Sequence, residues 1–149
     1  MSRRKSRIIA FQGLYSWDVG GMSESDVLEL GWVETKSNTT ENEQEEKLPV
    51  KSTLDEADAA FSRMLISGTI ANINKIDEVI KAHLTNWNFE RVNKVTIAIL
   101  RMSVYSLIYT KDIDSSIVID EAIDIAKNYG PDDSYKFVNA ILDNIKKSV

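Results

Sequence analysis

The strongest constraint on the fold is the spacing of apolar residues in the second half of the chain. Between Val92 and Tyr109 they recur every three or four positions along one face. The residues of this face are Ile97, Leu100, Val104, Leu107 and Ile108. A period of about 3.6 residues is that of an amphipathic α-helix. The pattern therefore predicts a long helix that packs against a core.

The same period recurs along the rest of the chain, apart from one polar stretch. No alternating pattern typical of a β-strand competes with it. Predicted helices cover residues 3–19, 23–33, 54–71, 73–84, 92–109, 115–130 and a last segment from 131. The sequence therefore predicts an all-α bundle of about seven helices.

Small and polar residues mark where these helices begin and end. Gly20-Gly21 and Gly130 are typical of helix ends, and Ser23 or Ser25 is a candidate cap for the second helix. Ser115 or Ser116 is the candidate cap for the sixth. We expect Pro131 to open the last helix, with Asp132 and Asp133 in its first turn.

Composition limits the class of protein. The 149 residues include 43% apolar residues, which is enough for one domain or for two small subdomains that share a core. Cysteine is absent, so disulfides and thiolate metal sites are excluded. No apolar run approaches the roughly 20 residues of a membrane span, and the basic start lacks the uninterrupted apolar region of a signal peptide. We expect a cytoplasmic protein without a membrane segment.

The polar stretch at residues 35–52 differs from its surroundings. It is rich in Asn, Thr, Glu and Lys and has almost no apolar residues. We predict a flexible, solvated acidic loop there. An acidic docking tract, formed by Glu41, Glu43, Glu45 and Glu46, is the alternative.

Charge is distributed unevenly along the chain. The first seven residues carry four cations, which are Arg3, Arg4, Lys5 and Arg7. No acid appears before Asp18, yet the whole chain has a net charge of -5. Positive charge gathered at one place on an acidic protein favours binding of a polyanion. A short run of solvated cations is the alternative interpretation.

The sequence offers little support for catalysis. The single histidine, His83, lies near a predicted helix end without a carboxylate pair or cysteine at metal-ligand spacing. Glycine-rich phosphate loops and the common hydrolase and metalloprotease motifs are absent. Acidic pairs such as Asp120-Glu121 are neighbours about 100° apart on a helix, so they do not converge as an acid/base pair. We expect no enzyme activity, no cofactor and no metal.

Three stretches of the chain together carry a family resemblance. They are residues 3–18, residues 98–107 and residues 119–143, of which the last contains Asp133-Ser134-Tyr135-Lys136-Phe137-Val138-Asn139. In this order they resemble the NusB family of bacterial transcription antitermination factors, over essentially the whole chain apart from the polar stretch. The resemblance implies an all-helical fold of two subdomains, which we expect at about 1–84 and 85–149.

The resemblance also implies a function without catalysis. Proteins of this family bind the single-stranded boxA element of nascent, especially ribosomal, RNA as heterodimers with NusE, a small-subunit ribosomal protein. With other Nus factors, the pair joins RNA to RNA polymerase and suppresses premature, Rho-dependent termination. Some members form homodimers, and the sequence leaves the oligomeric state open.

Matching positions imply the residues of the site. The implied RNA-binding residues are Arg3, Arg4, Lys5, Arg7, Gln12, Tyr15, Glu90, Asp133, Lys136 and Phe137. Cations would follow the backbone, while Phe137 would stack on an unpaired base. Because Phe137 also has core spacing, a buried position is the alternative. Arg101 and Tyr105 are expected to form or to support the surface that faces NusE.

The sequence departs from the family pattern at a few positions. Thr96 and Ile97 stand where many members have an acidic-basic pair, and Ile117 stands where a basic residue is common. A partner contact through a salt bridge is therefore in doubt. Two other functions remain open: an RNA-recruiting domain that works with a ribosomal RNA-modifying enzyme, and a helical adaptor that binds no RNA.

Overall fold

The computed structural model describes residues 3–32, 55–84 and 88–149. These residues form seven α-helices and contain no strand. The helices are α1 (Arg3–Asp18), α2 (Glu24–Glu29), α3 (Glu56–Ala71), α4 (Ile73–Ala82), α5 (Lys94–Tyr109), α6 (Ser115–Tyr129) and α7 (Ser134–Ser148). A short 3-10 turn, Phe89–Arg91, precedes α5. The predicted all-α fold is confirmed, and the predicted loop at 35–52 lies outside the described residues.

The chain packs as two compact units, Met1–Ser67 and Gly68–Val149. The division falls inside α3, whereas we expected subdomains that meet near residue 84. The difference arises at α4, which packs against α5 and α7 and therefore belongs to the second unit.

In the first unit, α1 packs against α2 and against the first turns of α3. The Ser6 hydroxyl donates to the Asp58 carbonyl oxygen at 3.1 Å, and the Ser62 hydroxyl donates to the Ser6 carbonyl oxygen at 2.9 Å. Close packing extends to Gly13, where an added Cβ would lie 2.9 Å from Val27. The fully buried large side chains of this unit are Ile9, Leu14, Leu30, Leu65 and Ile66.

Local signals explain the ends of α2. The Ser23 hydroxyl accepts a hydrogen bond from the Asp26 backbone N–H at 3.1 Å, which confirms Ser23 as the cap. The helix is shorter than predicted because Leu30 adopts a left-handed conformation (φ 61°) and ends it. Before the helix, Gly21 also has a positive φ (73°), which a glycine adopts without strain.

In the second unit, α5 is the central helix, and α4, α6 and α7 all pack against it. Its buried side chains cover most of its circumference, which is typical of a core helix. They include Ile97, Ala98, Ile99, Leu100, Met102 and Val104. A Cβ built at Gly68 would overlap the Tyr105 ring. Only glycine therefore allows this end of α3 to approach α5 so closely.

The capping residue of α6 corrects a prediction. The Asp114 carboxylate accepts from the Ser116 backbone N–H at 2.9 Å and from the Ser116 hydroxyl at 2.9 Å. We predicted Ser115 or Ser116 as the cap. This prediction is wrong, because the capping side chain is that of Asp114, the residue directly before α6 begins. The hydrogen bond from the Ser116 N–H holds the pKa of Asp114 below its ordinary value.

The start of α7 also differs from the prediction. We expected Pro131 at the first helical position, but α7 begins at Ser134. The Pro131 carbonyl oxygen accepts from the Ser134 N–H at 3.0 Å, so the intervening residues form a turn. Asp133 has a φ of 67°, a left-handed conformation that cannot belong to a right-handed helix. Asp132 and Asp133 therefore precede the helix and do not lie in its first turn.

Candidate nucleic-acid interface

The first part of the candidate interface is one side of α1, in the first unit. Residues seven or eleven positions apart lie on nearly the same side of a helix with about 3.6 residues per turn. Lys5 and Gln12 are seven apart, and Arg4 and Tyr15 are eleven apart. Lys5 and Tyr15 are exposed, whereas Arg4 and Gln12 are half-buried. The two pairs form neighbouring rows along the helix, roughly 80–100° apart around its axis. We call Arg4, Lys5, Gln12 and Tyr15 together the α1 face.

The other two N-terminal arginines point toward α3. The Arg3 guanidinium carbon lies 4.4 Å from the centroid of the Phe61 ring, and that of Arg7 lies 5.4 Å from it. Arg3 also lies 3.7 Å from the Asp58 carboxylate. These contacts are cation–π and ionic interactions that anchor the start of α1.

Burial favours a packing role for Arg7. Its relative exposure is 5%, so the structure gives it less access to an RNA phosphate than the other three cations have, and its contact with RNA stays a prediction. The side chain of Arg3 is 45% exposed and keeps access to solvent beside its contacts with Phe61 and Asp58. The four cations of the sequence therefore form two pairs: Arg4 and Lys5 on the α1 face, and Arg3 and Arg7 against α3.

The second part of the candidate interface is a groove in the second unit, with a volume of about 350 Å³. It lies between the start of α5, the turn before α7 and the side of α7. Its lining includes Arg91, Asn93, Thr96, Asp133, Ser134 and Phe137. We call this cavity the α5–α7 groove. Asp133 and Phe137 were both predicted to bind RNA, and both line this groove.

Two features explain the shape of the α5–α7 groove. Asn93 caps α5, because its side-chain oxygen accepts from the backbone N–H groups of Val95 (2.9 Å) and Thr96 (3.2 Å). The cap fixes the wall formed by the start of α5. Phe137 is half-buried, so it contributes to packing and also reaches the groove surface.

Lys136 lies on the exposed side of α7. Its Nζ is 3.8 Å from the Asp133 carboxylate and 6.0 Å from the centroid of the Tyr135 ring. Lys127 of α6 approaches the same ring, with its Nζ at 4.9 Å. The Lys136–Asp133 pair is exposed on both sides, so it contributes little to stability. Lys136 is therefore accessible to a phosphate.

Arg101 lies almost completely inside the second unit. Its relative exposure is 8%, and its guanidinium donates to both carboxylate oxygens of Asp77, at 2.9 and 2.8 Å. Its guanidinium carbon also lies 5.6 Å from the centroid of the Phe89 ring. Of the two predicted roles at the NusE-facing surface, this geometry favours support over direct contact.

Glu90 and Tyr105 are more accessible than Arg101. Glu90 is exposed on the 3-10 turn Phe89–Arg91, and its backbone N–H donates to the Asn88 side chain at 2.9 Å. Tyr105 is half-buried and stacks on Tyr109, with ring centroids 5.3 Å apart. Because 42% of Tyr109 is exposed, this aromatic pair reaches the protein surface.

Several contributors were missed by the sequence reasoning. Phe61, Asp77 and Arg91 belong to contacts between residues far apart in the chain, which periodicity does not predict. Of the three, only Arg91 is next to a predicted RNA-binding residue, Glu90, and this neighbour could have pointed to it. Thr96 and Ile97, where family charges are absent, are both buried, and Thr96 lines the α5–α7 groove.

The chemistry of both parts favours nucleic-acid binding over catalysis. His83 follows α4, and its Nδ1 lies 2.9 Å from the Val79 carbonyl oxygen, as expected for a helix-end residue. Among the residues that the structure describes, no cluster of three or more His, Asp or Glu side chains could hold a metal ion. Exposed cations on α1 and an aromatic side chain in a groove are the groups that bind single-stranded nucleic acid.

Comparison with known proteins identifies the family. The model of the NusB family matches residues 4–147. The chain belongs to the NusB family. Transcription antitermination protein NusB of Treponema denticola is 50% identical over 146 residues, which cover 98% of this chain and 96% of the relative. The predicted family is therefore confirmed. The predicted role of the protein, transcription antitermination without enzyme activity, is confirmed with it.

Solved structures share the fold of the chain. NusB from T. maritima is 32% identical, with a TM-score of 0.78 over 99% of this chain and 92% of that chain. A crystal structure of antitermination factors NusB and NusE in complex with double-stranded RNA matches with a TM-score of 0.76. At 24% identity over 99% of this chain and 97% of that chain, the second likeness concerns the fold alone.

Within residues 3–32, 55–84 and 88–149, no helix is both long enough and apolar enough to cross a membrane.

Proposed function

We propose that this protein binds the single-stranded boxA element of nascent ribosomal RNA together with NusE and so suppresses premature, Rho-dependent termination. The observation that carries the proposal is the α1 face, where two neighbouring rows, Arg4 with Tyr15 and Lys5 with Gln12, place two cations beside an aromatic and a polar side chain. Cations beside a polar and an aromatic side chain suit a single strand, whose phosphates and unstacked bases are both accessible. Membership of the NusB family supports the same function.

The proposed RNA-binding residues act in different ways. Arg3, Arg4, Lys5 and Lys136 contact phosphates, and Gln12 and Tyr15 extend the α1 face toward the bases. In the second unit, Phe137 stacks on an unpaired base, while Asp133 and Glu90 accept hydrogen bonds from base amino groups. Arg7 acts through the anchoring of α1, since it is buried. Phosphate contacts provide affinity, and base contacts provide sequence preference.

The proposed partner surface for NusE includes Tyr105. Tyr105 stacks on the partly exposed Tyr109, and aromatic side chains with a polar hydroxyl are common at protein interfaces. Arg101 supports this surface through its bidentate contact with Asp77. The complex would act at RNA polymerase with other Nus factors, in the cytoplasm where transcripts are made.

A titration of labelled RNA tests the proposal. Fluorescence anisotropy of a single-stranded boxA RNA is followed at two salt concentrations, with and without the NusE protein of the same organism. A scrambled RNA of equal length and composition is the control. We expect tighter binding of boxA than of scrambled RNA when NusE is present, and weaker binding at high salt. Equal affinity for both RNAs would contradict the proposal.

A further inference from the structure

The α5–α7 groove contains one cation that the family resemblance did not assign. Arg91 ends the 3-10 turn Phe89–Arg91, is exposed, and lines the groove together with Phe137 and Asp133. We infer that Arg91 is a further RNA-binding residue, which contacts the phosphate of a nucleotide whose base enters the groove. Phe89 and Arg101 act as its positioning residues. The inference rests on the proposed function, because its ligand is the same single-stranded RNA.

Charge balance at the groove supports a phosphate contact by Arg91. Asp132 and Asp133 are exposed at the turn before α7 and repel an RNA backbone. Lys136 offsets part of this charge through its exposed pair with Asp133. Arg91 is the one cation among the described residues that line the groove. Its planar guanidinium can donate two parallel hydrogen bonds to one phosphate.

The helix starts at the groove favour the same ligand. Both α5 and α7 begin there, and the first turn of a helix carries a partial positive charge. Asn93 already accepts from N–H groups of α5, but no side chain caps α7. The Ser134 hydroxyl is buried and has no hydrogen-bond partner among the described residues. The Ser134 hydroxyl is therefore an uncommitted polar group at the start of α7, in a residue that lines the groove.

A cluster of side chains fixes the turn that carries Arg91. Two cations approach the Phe89 ring, with the Lys81 Nζ 5.0 Å and the Arg101 guanidinium carbon 5.6 Å from its centroid. Arg101 is itself held by its bidentate contact with Asp77 of α4. Because Phe89 is two residues before Arg91, the anchored ring fixes the backbone of Arg91. An ordered backbone at Arg91 reduces the conformational entropy that the turn loses on binding, so the contact contributes more to affinity.

Paired charge reversals test the contact. Arg91→Glu and Lys75→Glu change the net charge equally, and Lys75 is an exposed residue of α4 away from the groove lining. We expect Arg91→Glu to weaken binding of single-stranded boxA RNA roughly tenfold at low salt. The slope of log affinity against log salt should fall by about 0.7, the value for one phosphate contact with a single strand. Equal effects of the two reversals would overturn the inference.

Phe89 tests the positioning role. In Phe89→Leu the cation of Arg91 remains, so we expect a loss of affinity of about threefold with the salt slope unchanged. Phe89→Tyr keeps the aromatic face and should restore affinity. In a double-mutant cycle, Phe89→Leu should have no further effect once Arg91→Glu is present, because both act through one contact. An additive loss, or a loss that follows thermal stability in all variants, would overturn the positioning role.

The two proposals fail in distinguishable ways. If the unsubstituted protein with NusE does not prefer boxA over scrambled RNA, the proposed function fails. If that preference holds but Arg91→Glu binds like Lys75→Glu, the proposed function stands and the role of Arg91 is wrong. Circular dichroism of each variant confirms that the helices are retained.

Discussion

The α1 face and the α5–α7 groove use charge in different ways. The α1 face presents Arg4 and Lys5 in two neighbouring rows of one helix. The groove is lined by Arg91, Asp132, Asp133 and Phe137, and Lys136 lies outside this lining, with its Nζ 3.8 Å from the Asp133 carboxylate. A face with two cations attracts any RNA backbone, whereas a mixed groove with an aromatic wall suits particular bases. We therefore expect affinity from α1 and sequence preference from the groove.

A second contrast lies within α1. Arg4 and Lys5 reach solvent, but Arg7 is buried and lies over Phe61 beside Arg3. Cations that are close in sequence thus divide between exposure to solvent and packing. This division predicts that substitution of Arg7 lowers the stability of the protein, whereas substitution of Arg4 and Lys5 lowers its affinity for RNA.

The largest expected effect is on stability, at Arg7. Arg7→Glu places an acidic side chain in a buried position that holds a cation, which should lower the free energy of unfolding by about 3–5 kcal/mol. Lys5→Glu, at an exposed position of the same helix, should change it by no more than about 0.5 kcal/mol. Urea unfolding followed by circular dichroism measures both. Similar losses in the two variants would contradict the division of the cations.

The next largest effect is on RNA affinity, at the α1 face. The double variant Arg4→Glu, Lys5→Glu should weaken RNA binding on the order of a hundredfold at low salt, because two charged contacts are lost. The loss should be the same for boxA and scrambled RNA, as measured by anisotropy titration. Lys146→Glu with Lys147→Glu is the control, since it makes the same charge change at the end of α7. A control with an equal loss would indicate a nonspecific charge effect.

The anchoring of α1 could not be predicted from the sequence, whereas its helical form could. The apolar period and Gly20-Gly21 predict where α1 lies, because both signals are local. The contacts of Arg3 with Phe61 and Asp58 join residues more than fifty positions apart. Nothing in the local pattern distinguishes Arg7, which is buried, from Arg4, which reaches the surface.

The same limit applies to the groove. The family resemblance selected Asp133 and Phe137, and the structure places both on one wall. The resemblance did not select Arg91, since that residue reaches the groove through the packing of Phe89 on Arg101. The start of α7 was predicted too early because proline is a common first residue of helices. Here Asp133 has a left-handed conformation, so the helix begins only at Ser134.

A smaller effect on stability separates the two helix starts at the groove. Asn93→Ala removes the side-chain acceptor of two backbone N–H groups and should lower the free energy of unfolding by about 1 kcal/mol. Asp133 makes no capping hydrogen bond and has a positive φ, which glycine adopts freely. Asp133→Gly should therefore change stability by no more than about 0.5 kcal/mol.

Binding measurements on Asp133→Gly complete this comparison. With stability nearly unchanged, we expect a reduced preference for boxA over scrambled RNA, because an acceptor for base amino groups is removed from the groove. If the preference stays the same and stability falls, Asp133 has a structural role only.

The smallest expected effect is the pH dependence at Asp114, the cap of α6, which lies outside the α1 face and the α5–α7 groove lining. Its pKa in the folded protein is lowered by the hydrogen bond from the Ser116 N–H. A lowered folded pKa stabilises the protein above the unfolded value of about 3.9, and the contribution is lost as pH falls through the folded pKa. The stability difference between the protein and Asp114→Asn should therefore decrease with falling pH in that range, while RNA affinity stays the same. Unfolding curves from pH 6 down to the acid transition, at roughly half-unit steps, provide the check.

The most direct test of the central claim compares RNA selectivity in two variants. Affinities for boxA and for scrambled single-stranded RNA are measured in the presence of NusE. One variant carries both Arg4→Glu and Lys5→Glu, and the other carries Phe137→Leu. We predict that the α1 variant loses affinity for both RNAs and keeps the ratio between them, whereas Phe137→Leu reduces the ratio and leaves scrambled RNA unaffected. A changed ratio in the α1 variant, together with an unchanged ratio in Phe137→Leu, would contradict the assignment of affinity to α1 and of preference to the groove.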